Sequence, residues 1–589
     1  MRTLQDIKTL IRAGLKKEEC DIALCNVKLV NVFSREVYPT TIYIKGKRVV
    51  SICPDADLPC RTRVDCGGQY ALPGFIDSHM HFESTMLSPE ALAAFVVEKG
   101  TTTLCADLME IANVCGEEGI RCMLAGADRL PYRMLIEVSS RVPTAPGLET
   151  TGAIMDEVSV ARLMQDEASI SLGELDPSKI LNEGEEYLKK VADTLAMRKI
   201  VNGHAIGKSG QDLNIYASSG ISDDHECVER GEMLDRLRLG MKVLVREGST
   251  ERNLDELIQG VLDLGLATDN LCFCTDDKHV DEIKREGHIN YNVNRAIQLG
   301  MEPMDAICMA TVNAAKHFRL EDEIGSITPG RIADIILCES LSDIQPTCVY
   351  FEGKKVFEAG TLHFDAAPNT YPDWLYDTVH LKNPITAQSF LVPCTGTSAR
   401  VNVIDLIDRQ IINRWAVEEL AVENGALVAD VSRDILKIAV VERYGKNGNV
   451  GVGFVRGFTL GQGAVAYSMS HDHHNIVVIG TNDEDMAVCV NCVADMHGGL
   501  AAALNGEVTA QMPLPIGGLM SADPVEEVDR QLAAMNTAAA KLGCTLPAPF
   551  MTLSFISLPT VPQLGLTDMG LVDVDACKLI PLLADDANV

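Results

Sequence analysis

His79 and His81 stand two residues apart where the apolar run ALPGFID gives way to SHMH, and residues two apart on a strand point to the same side. Further along the 589-residue chain, Glu174, His204, His225 and the pair Asp276–Asp277 each close another short apolar run. Imidazoles and carboxylates together suit divalent transition ions. Four imidazoles and two carboxylates converging on one face are enough for two ions sharing an oxygen ligand, and such ions make water a nucleophile at neutral pH. Each residue alone has an ordinary explanation, because a single buried histidine is more often a satisfied core residue than a ligand. The chain holds only 13 histidines, however, and four of them fall at run ends in this order.

The elements that must position these residues are legible between residues 73 and 322. The runs ALPGFID, TTTLCAD, YRMLIEVS, ASISLGEL, KIVNGHA, GISDDHE, MKVLVREG and LCFCTDD alternate with amphipathic stretches such as PEALAAFVVEKG, GEEYLKKVADTLAMR and ERNLDELIQGVLDLG. Eight strand-like runs alternating with helices predict an α/β fold, a (β/α)8 TIM-type barrel with its chemistry at the C-terminal strand ends. Residues 1–72 and 323–378 carry short alternating strand patterns after an N-terminal amphipathic helix. They predict a small β side domain that the barrel interrupts. The Pro-containing stretch 367–384 reads as a linker, and residues 379–589 as a C-terminal α+β domain of ordinary size.

Composition narrows the function. With 47 % hydrophobic and 23 % charged residues the chain reads as globular. A formal charge of −32 repels phosphate backbones, which argues against a nucleic-acid partner and for a small neutral substrate. The first helix lacks the apolar core of a signal peptide, and no window approaches the ~18 uninterrupted apolar residues of a membrane span. No membrane partner is expected, and the expected location is the cytoplasm. The 19 cysteines are scattered as buried thiols would be. The CxxC of Cys489 and Cys492 reads as packing, since a structural zinc needs four ligands.

PGFIDSHMH, the aspartate of the eighth run and GSITPGRIADIILCE resemble the amidohydrolase superfamily. Within it, HMHFESTMLSP, IANVCGEEGI, SSRVPTAP, DDHECVERGE, LRLGMKVLVREGSTERNL, CTDDKHVDEIKREGHI and SHDHHNIVVIG are similar to the bacterial adenine deaminase family, over nearly the whole chain. The resemblance implies hydrolytic deamination of adenine to hypoxanthine and ammonia by a metal-activated hydroxide, within purine metabolism. His79 and His81 would hold one ion and His204 and His225 the other. Glu174 would bridge them, and Asp276 would bind metal and shuttle protons. The ions implied are two divalent transition metals, manganese first and iron or zinc next; a homo-oligomer is also implied.

Further residues take roles around this centre. Glu83, two past His81, is the candidate acid for the purine ring nitrogen, and Asp277 orients a histidine or the substrate. Asp107, Glu110 and His288 are candidates for supporting or substrate contacts, as are His473 and His474 in the 471–475 cluster. Arg246–Glu247 is another polar cluster. Three loops depart from the family's pattern. Asp107-Leu108-Met109-Glu110 carries a methionine where the family has histidine, and Leu175–Ser178 and Ile206–Lys208 also differ. Methionine is a weak acceptor and a poor ligand for hard ions, so no auxiliary metal is expected from that loop. These departures keep open an alternative, a metal-dependent hydrolase of another aminopurine or a cyclic amide. A degenerate barrel kept as a binding scaffold is the reading from another class, and the intact ligand set speaks against it.

Overall fold

The computed structural model describes residues 2–54, 56–364, 369–407, 412–560 and 563–584. Eight parallel strands follow the eight apolar runs: β1 (Phe75–Met80), β2 (Thr101–Asp107), β3 (Arg133–Val138), β4 (Ser169–Leu175), β5 (Ile200–Gly203), β6 (Asp223–Asp224), β7 (Lys242–Arg246) and β8 (Leu271–Cys274). Pairing runs in sequence order through β1–β5 and again through β6–β8. Met80 bridges Asp276 in parallel and closes the ring on one side. On the other side, Ser222 N donates to Val201 O at 2.9 Å. β6 is only two residues long because its positions are aspartates. The Asp223 carboxylate instead accepts from Asn202 Nδ2 at 3.0 Å and from Gly203 N at 2.9 Å, stitching β5 to β6.

Every residue of β1, β2, β4, β5 and β8 is buried. Strands covered on both faces need no polar alternation, which is why they read as continuous apolar runs. Helices cover the outside. The first, Pro89–Glu98, starts where Ser88 Oγ accepts from Ala91 N at 3.3 Å with proline at the first helical position. It buries Leu92, Val96 and Val97 against the barrel.

The segments flanking the barrel form one nine-stranded sheet. Its centre is Tyr70–Pro73, paired parallel with Cys20–Asn31 on one side and antiparallel with Ile335–Cys338 on the other. Thus chain from before and after the barrel shares a sheet. Residues 367 and 368 of the expected linker lie outside the described residues. Its later part holds a short 3-10 turn, Asp373–Tyr376.

The C-terminal region is a second nine-stranded, mostly antiparallel sheet with helices Asp483–Asp495, Val525–Lys541 and Pro549–Ile556, and a small three-stranded sheet. Strands Ala464–Tyr467 and Ile476–Gly480 of its large sheet are joined by the segment holding His471–Asn475, which is carried to the mouth of the barrel. All 19 cysteines are free thiols. Cys489 and Cys492 sit in helix Asp483–Asp495, with their sulfurs on Ala464 O and Gln511 Oε1. Among the described residues no helix is long and apolar enough to cross a membrane.

Candidate metal centre and active site

Glu174, the sixth residue of β4, sits where the strand ends converge. Its Oε1 lies 3.0 Å from Nε2 of both His79 and His81 and 3.4 Å from His225 Nε2. Its Oε2 lies 3.4 Å from His204 Nδ1 and accepts a hydrogen bond from Arg141. Asp276, just beyond β8, places Oδ1 3.6 Å from Nε2 of both His79 and His81. The result is two ligand sets, His79–His81–Glu174–Asp276 and Glu174–His204–His225, each with its ligand atoms within 4.8 Å of one another. Glu174 belongs to both. Two imidazoles, a shared carboxylate and, on one side, an aspartate form a donor set that fits a pair of divalent transition ions.

A ring of partners fixes these ligands. Glu137 Oε2 is 2.8 Å from His79 Nδ1, and the Asp107 carbonyl is 3.1 Å from His81 Nδ1. Both contacts aim Nε2 at the centre, as outer partners of metal-ligating histidines do. Asp107 also receives Ser139 Oγ at 2.7 Å and the Glu174 backbone N–H at 3.1 Å. Its carboxylate approaches so closely that a Cβ at Gly173 would meet Asp107 Oδ2 at 2.1 Å, so only glycine fits before Glu174. Arg246 at the end of β7 donates to Glu226 Oε1 at 2.5 Å and to Asp276 Oδ2 at 2.8 Å. Asp276 has φ 58°, a left-handed backbone that a non-glycine residue adopts at a cost.

The electrostatics follow from this crowding. Burial works against ionising Glu174, but the His204 imidazole and the Arg141 guanidinium hold its carboxyl well below the usual range. For Asp276 the same opposition of burial is overcome by His79 and Arg246. Elsewhere burial wins. It pushes Asp277 up to about 6, Asp107 up to about 7, and Glu83 well above its ordinary value with help from the Glu110 carboxylate. Glu174 and Asp276 thus stay anionic, while Asp277, Asp107 and Glu83 retain protons more readily.

The remaining sequence candidates fall in different places. Glu110 begins the helix after β2 and has Oε2 3.2 Å from His81 Nδ1. Asp277 lines the cavity beside the centre and accepts a hydrogen bond from Ser84 Oγ. Glu83 is buried, accepts from Ile111 N at 3.3 Å through Oε1, and is not among the cavity-lining residues. His288 lies on the other side of the ligands, between Thr101 Oγ1 at 2.9 Å and Asp77 Oδ2 at 3.2 Å. His473 turns toward Asn475, whose N donates to its Nδ1 at 3.2 Å, whereas His471 and Asp472 line the cavity. Of the three departing loops, only Met109 reaches that wall.

Glu137, Arg141 and Glu226 were not singled out from sequence, and Asp472 was named only as part of the 471–475 cluster. Arg141 ties Glu174 to Asp472, 3.3 Å from its Nη1, so the C-terminal region is wired to the bridging ligand. Arg141 follows β3 as Arg246, named from sequence, ends β7, and the strand-end rule applied after β3 would have found Arg141 as well. The cavity, about 30 Å³, is also lined by Phe555 and Leu558 of the C-terminal region. It shares Glu251 and Phe555 with an adjoining cleft of about 720 Å³.

Residues 70–357 match the amidohydrolase family and residues 410–578 the adenine deaminase C-terminal domain. A protein of Desulforamulus reducens named adenine deaminase is 51 % identical, over 99 % of this chain and 100 % of its own. The chain belongs to the adenine deaminase family. Two other proteins of that name, from Dehalococcoides mccartyi and Methanococcoides burtonii, are 39 % and 38 % identical, each over 98 % of this chain and 99 % of their own. The C-terminal domain is thus a shared part of the family chain, and in this member it supplies one wall of the cavity.

Proposed function

We propose that the protein is a binuclear, metal-dependent adenine deaminase converting adenine and water to hypoxanthine and ammonia. The observation that carries this reading is the Glu174 carboxylate shared by two ligand sets inside a chain of this family. His79, His81, Glu174 and Asp276 would hold one ion, and Glu174, His204 and His225 the other. Manganese is the first choice, with iron or zinc next. Such ions lower the pKa of water to near 7, supplying a nucleophile at neutral pH.

The protein's own groups do the rest. Asp276 takes the proton from the attacking water and passes it to the departing amine, while Arg246 holds its second oxygen in place. The C6–O bond forms, the C6–N6 bond breaks, and the amine leaves as ammonia. The new C6 hydroxyl gives up its proton as it becomes the carbonyl of hypoxanthine, restoring the proton lent to the ring nitrogen. A ring nitrogen must gain a proton as the aromatic system is broken. Asp277 suits this better than Glu83: it lines the cavity, and with Ser84 bound to Oδ1 its Oδ2 is the oxygen left to carry a proton. Arg141 keeps Glu174 anionic and aligned.

On this reading the protein would work in the cytoplasm, as a homo-oligomer acting on a free purine. Incubating the metal-loaded protein with adenine and separating the products tests the reading. Equal amounts of hypoxanthine and ammonia are expected, with loss of activity on chelation and recovery on adding metal. The alternative of another aminopurine or a cyclic amide rests on Met109, the one departing residue on the cavity wall.

A further inference from the structure

We infer that Glu110, His471 and His474 form a third divalent-cation site, separate from the Glu174 centre, that joins the C-terminal domain to the barrel. Their ligand atoms lie within 4.8 Å of one another and all three residues are buried. Glu110 comes from the helix after β2, and the two histidines from the segment between strands Ala464–Tyr467 and Ile476–Gly480.

The site's polar atoms lack protein partners. Glu110 Oε1 and Oε2, His471 Nε2, and both ring nitrogens of His474 are buried without a hydrogen bond. Buried polar atoms left unpaired destabilise a fold, and here five of them belong to three residues that each bring a ligand atom within 4.8 Å of the others'. The nearest neighbours do not resolve this. Glu110 Oε2 is 3.2 Å from His81 Nδ1, but that nitrogen already addresses the Asp107 carbonyl. Glu110 Oε1 and His471 Nδ1 are 3.6 Å apart, beyond a good hydrogen bond.

Two imidazoles and a carboxylate are the donors of a borderline divalent ion such as zinc, iron or manganese. A cation would take one donor atom from each of the three residues and offset the negative charge of Glu110. His471 is held ready by Phe555, stacked at 4.8 Å between ring centroids and 17° between planes. Met109 offers no imidazole, and the barrel loop alone leads one to expect no auxiliary ion; the C-terminal segment supplies two imidazoles beside Glu110 instead. The ion would lock that domain against the barrel beside the cavity. It is distinct from the binuclear pair, which uses neither histidine.

Crystals of the whole protein grown with Mn2+, with anomalous difference maps at the manganese edge, test this without reference to activity. A peak bonded to Glu110, His471 and His474 is expected, in addition to those at Glu174. In His474→Asn crystals that peak should vanish while the others persist; asparagine tolerates the left-handed backbone of this position, φ 51°. Wild-type maps with no peak there overturn the inference, whether the atoms face water or a soaked purine. A peak unchanged in His474→Asn, or in His471→Gln should the first variant not fold, overturns it equally.

Discussion

Arg246 donates to Asp276 at 2.8 Å through the carboxylate oxygen that faces away from His79 and His81. The same guanidinium nitrogen holds Glu226 at 2.5 Å. Asp276 therefore presents one oxygen to the metal site in a fixed orientation, with the other tied down. In Asp276→Asn the shape and one ligand oxygen remain, but the group can no longer carry a proton near neutral pH. Turnover should fall by at least about a hundredfold, the scale of lost acid–base catalysis, while elemental analysis shows metal largely retained. Activity within about tenfold of the parent would assign proton transfer elsewhere.

Glu174→Ala removes the carboxylate common to both ligand sets and leaves Arg141 buried without its main counter-charge. Both ions of the pair should be lost or weakened together, along with activity, and stability should drop by about 3–5 kcal/mol as for other broken buried pairs. Metal analysis and thermal unfolding check the two effects. Normal loading and turnover would remove Glu174 from the bridging role.

Arg141→Met separates wiring from ligation. It leaves every proposed ligand in place but frees Glu174 and Asp472 from the cation that joins them. Metal affinity and kcat should both decline, with adenine KM rising because Asp472 lines the cavity. An unchanged KM with only a stability loss would reduce Arg141 to a structural part.

His288 gives a pH test of stability. Burial, aided by Lys278, lowers its pKa from 6.5 to about 3, so the imidazole is neutral in the folded protein. The unfolded chain takes up a proton near 6.5 that the fold refuses. The stabilisation is whole above that pH and is lost as pH falls toward about 3, with a slope approaching ~1.4 kcal/mol per unit. His288→Gln should be less stable at pH 7 yet lose less on acidification between pH 6.5 and 5. Parallel unfolding curves for the two proteins across that window would contradict this assignment.

Met109→His restores an imidazole to the cavity wall. Adenine turnover should rise, or metal content should increase near Glu110. Identical rates on adenine and substituted purines, with identical metal content, would show the position to be neutral.

The barrel and the convergence of the six candidate ligands were legible because both follow from position along a strand. His79, His81, Glu174, His204, His225 and Asp276 stand at strand ends, and a parallel barrel brings all strand ends to one face. Glu137 is penultimate in β3 as Glu174 is in β4, so the same rule applied to that run would have marked it. Arg141 and Glu226 follow strands but read as ordinary loop charges until Glu174 and Arg246 are seen beside them. The C-terminal wall was the least legible part. Nothing in the barrel's periodicity says that His471 and Asp472 return to its mouth, and within HDHHN only the backbone decides that His473 turns away. Glu83 was favoured by its spacing from His81; it lies in the 3-10 turn Phe82–Thr85, and Asp277 rather than Glu83 is among the residues lining the cavity.

The most direct test of the central claim is a ranking of kcat/KM for the metal-loaded protein across adenine, other aminopurines and cyclic amides, read by ammonia release and product identity. Adenine should rank first, yielding hypoxanthine, with activity abolished in Glu174→Ala. Efficient hydrolysis of another aminopurine or a cyclic amide, with adenine untouched, would contradict the account.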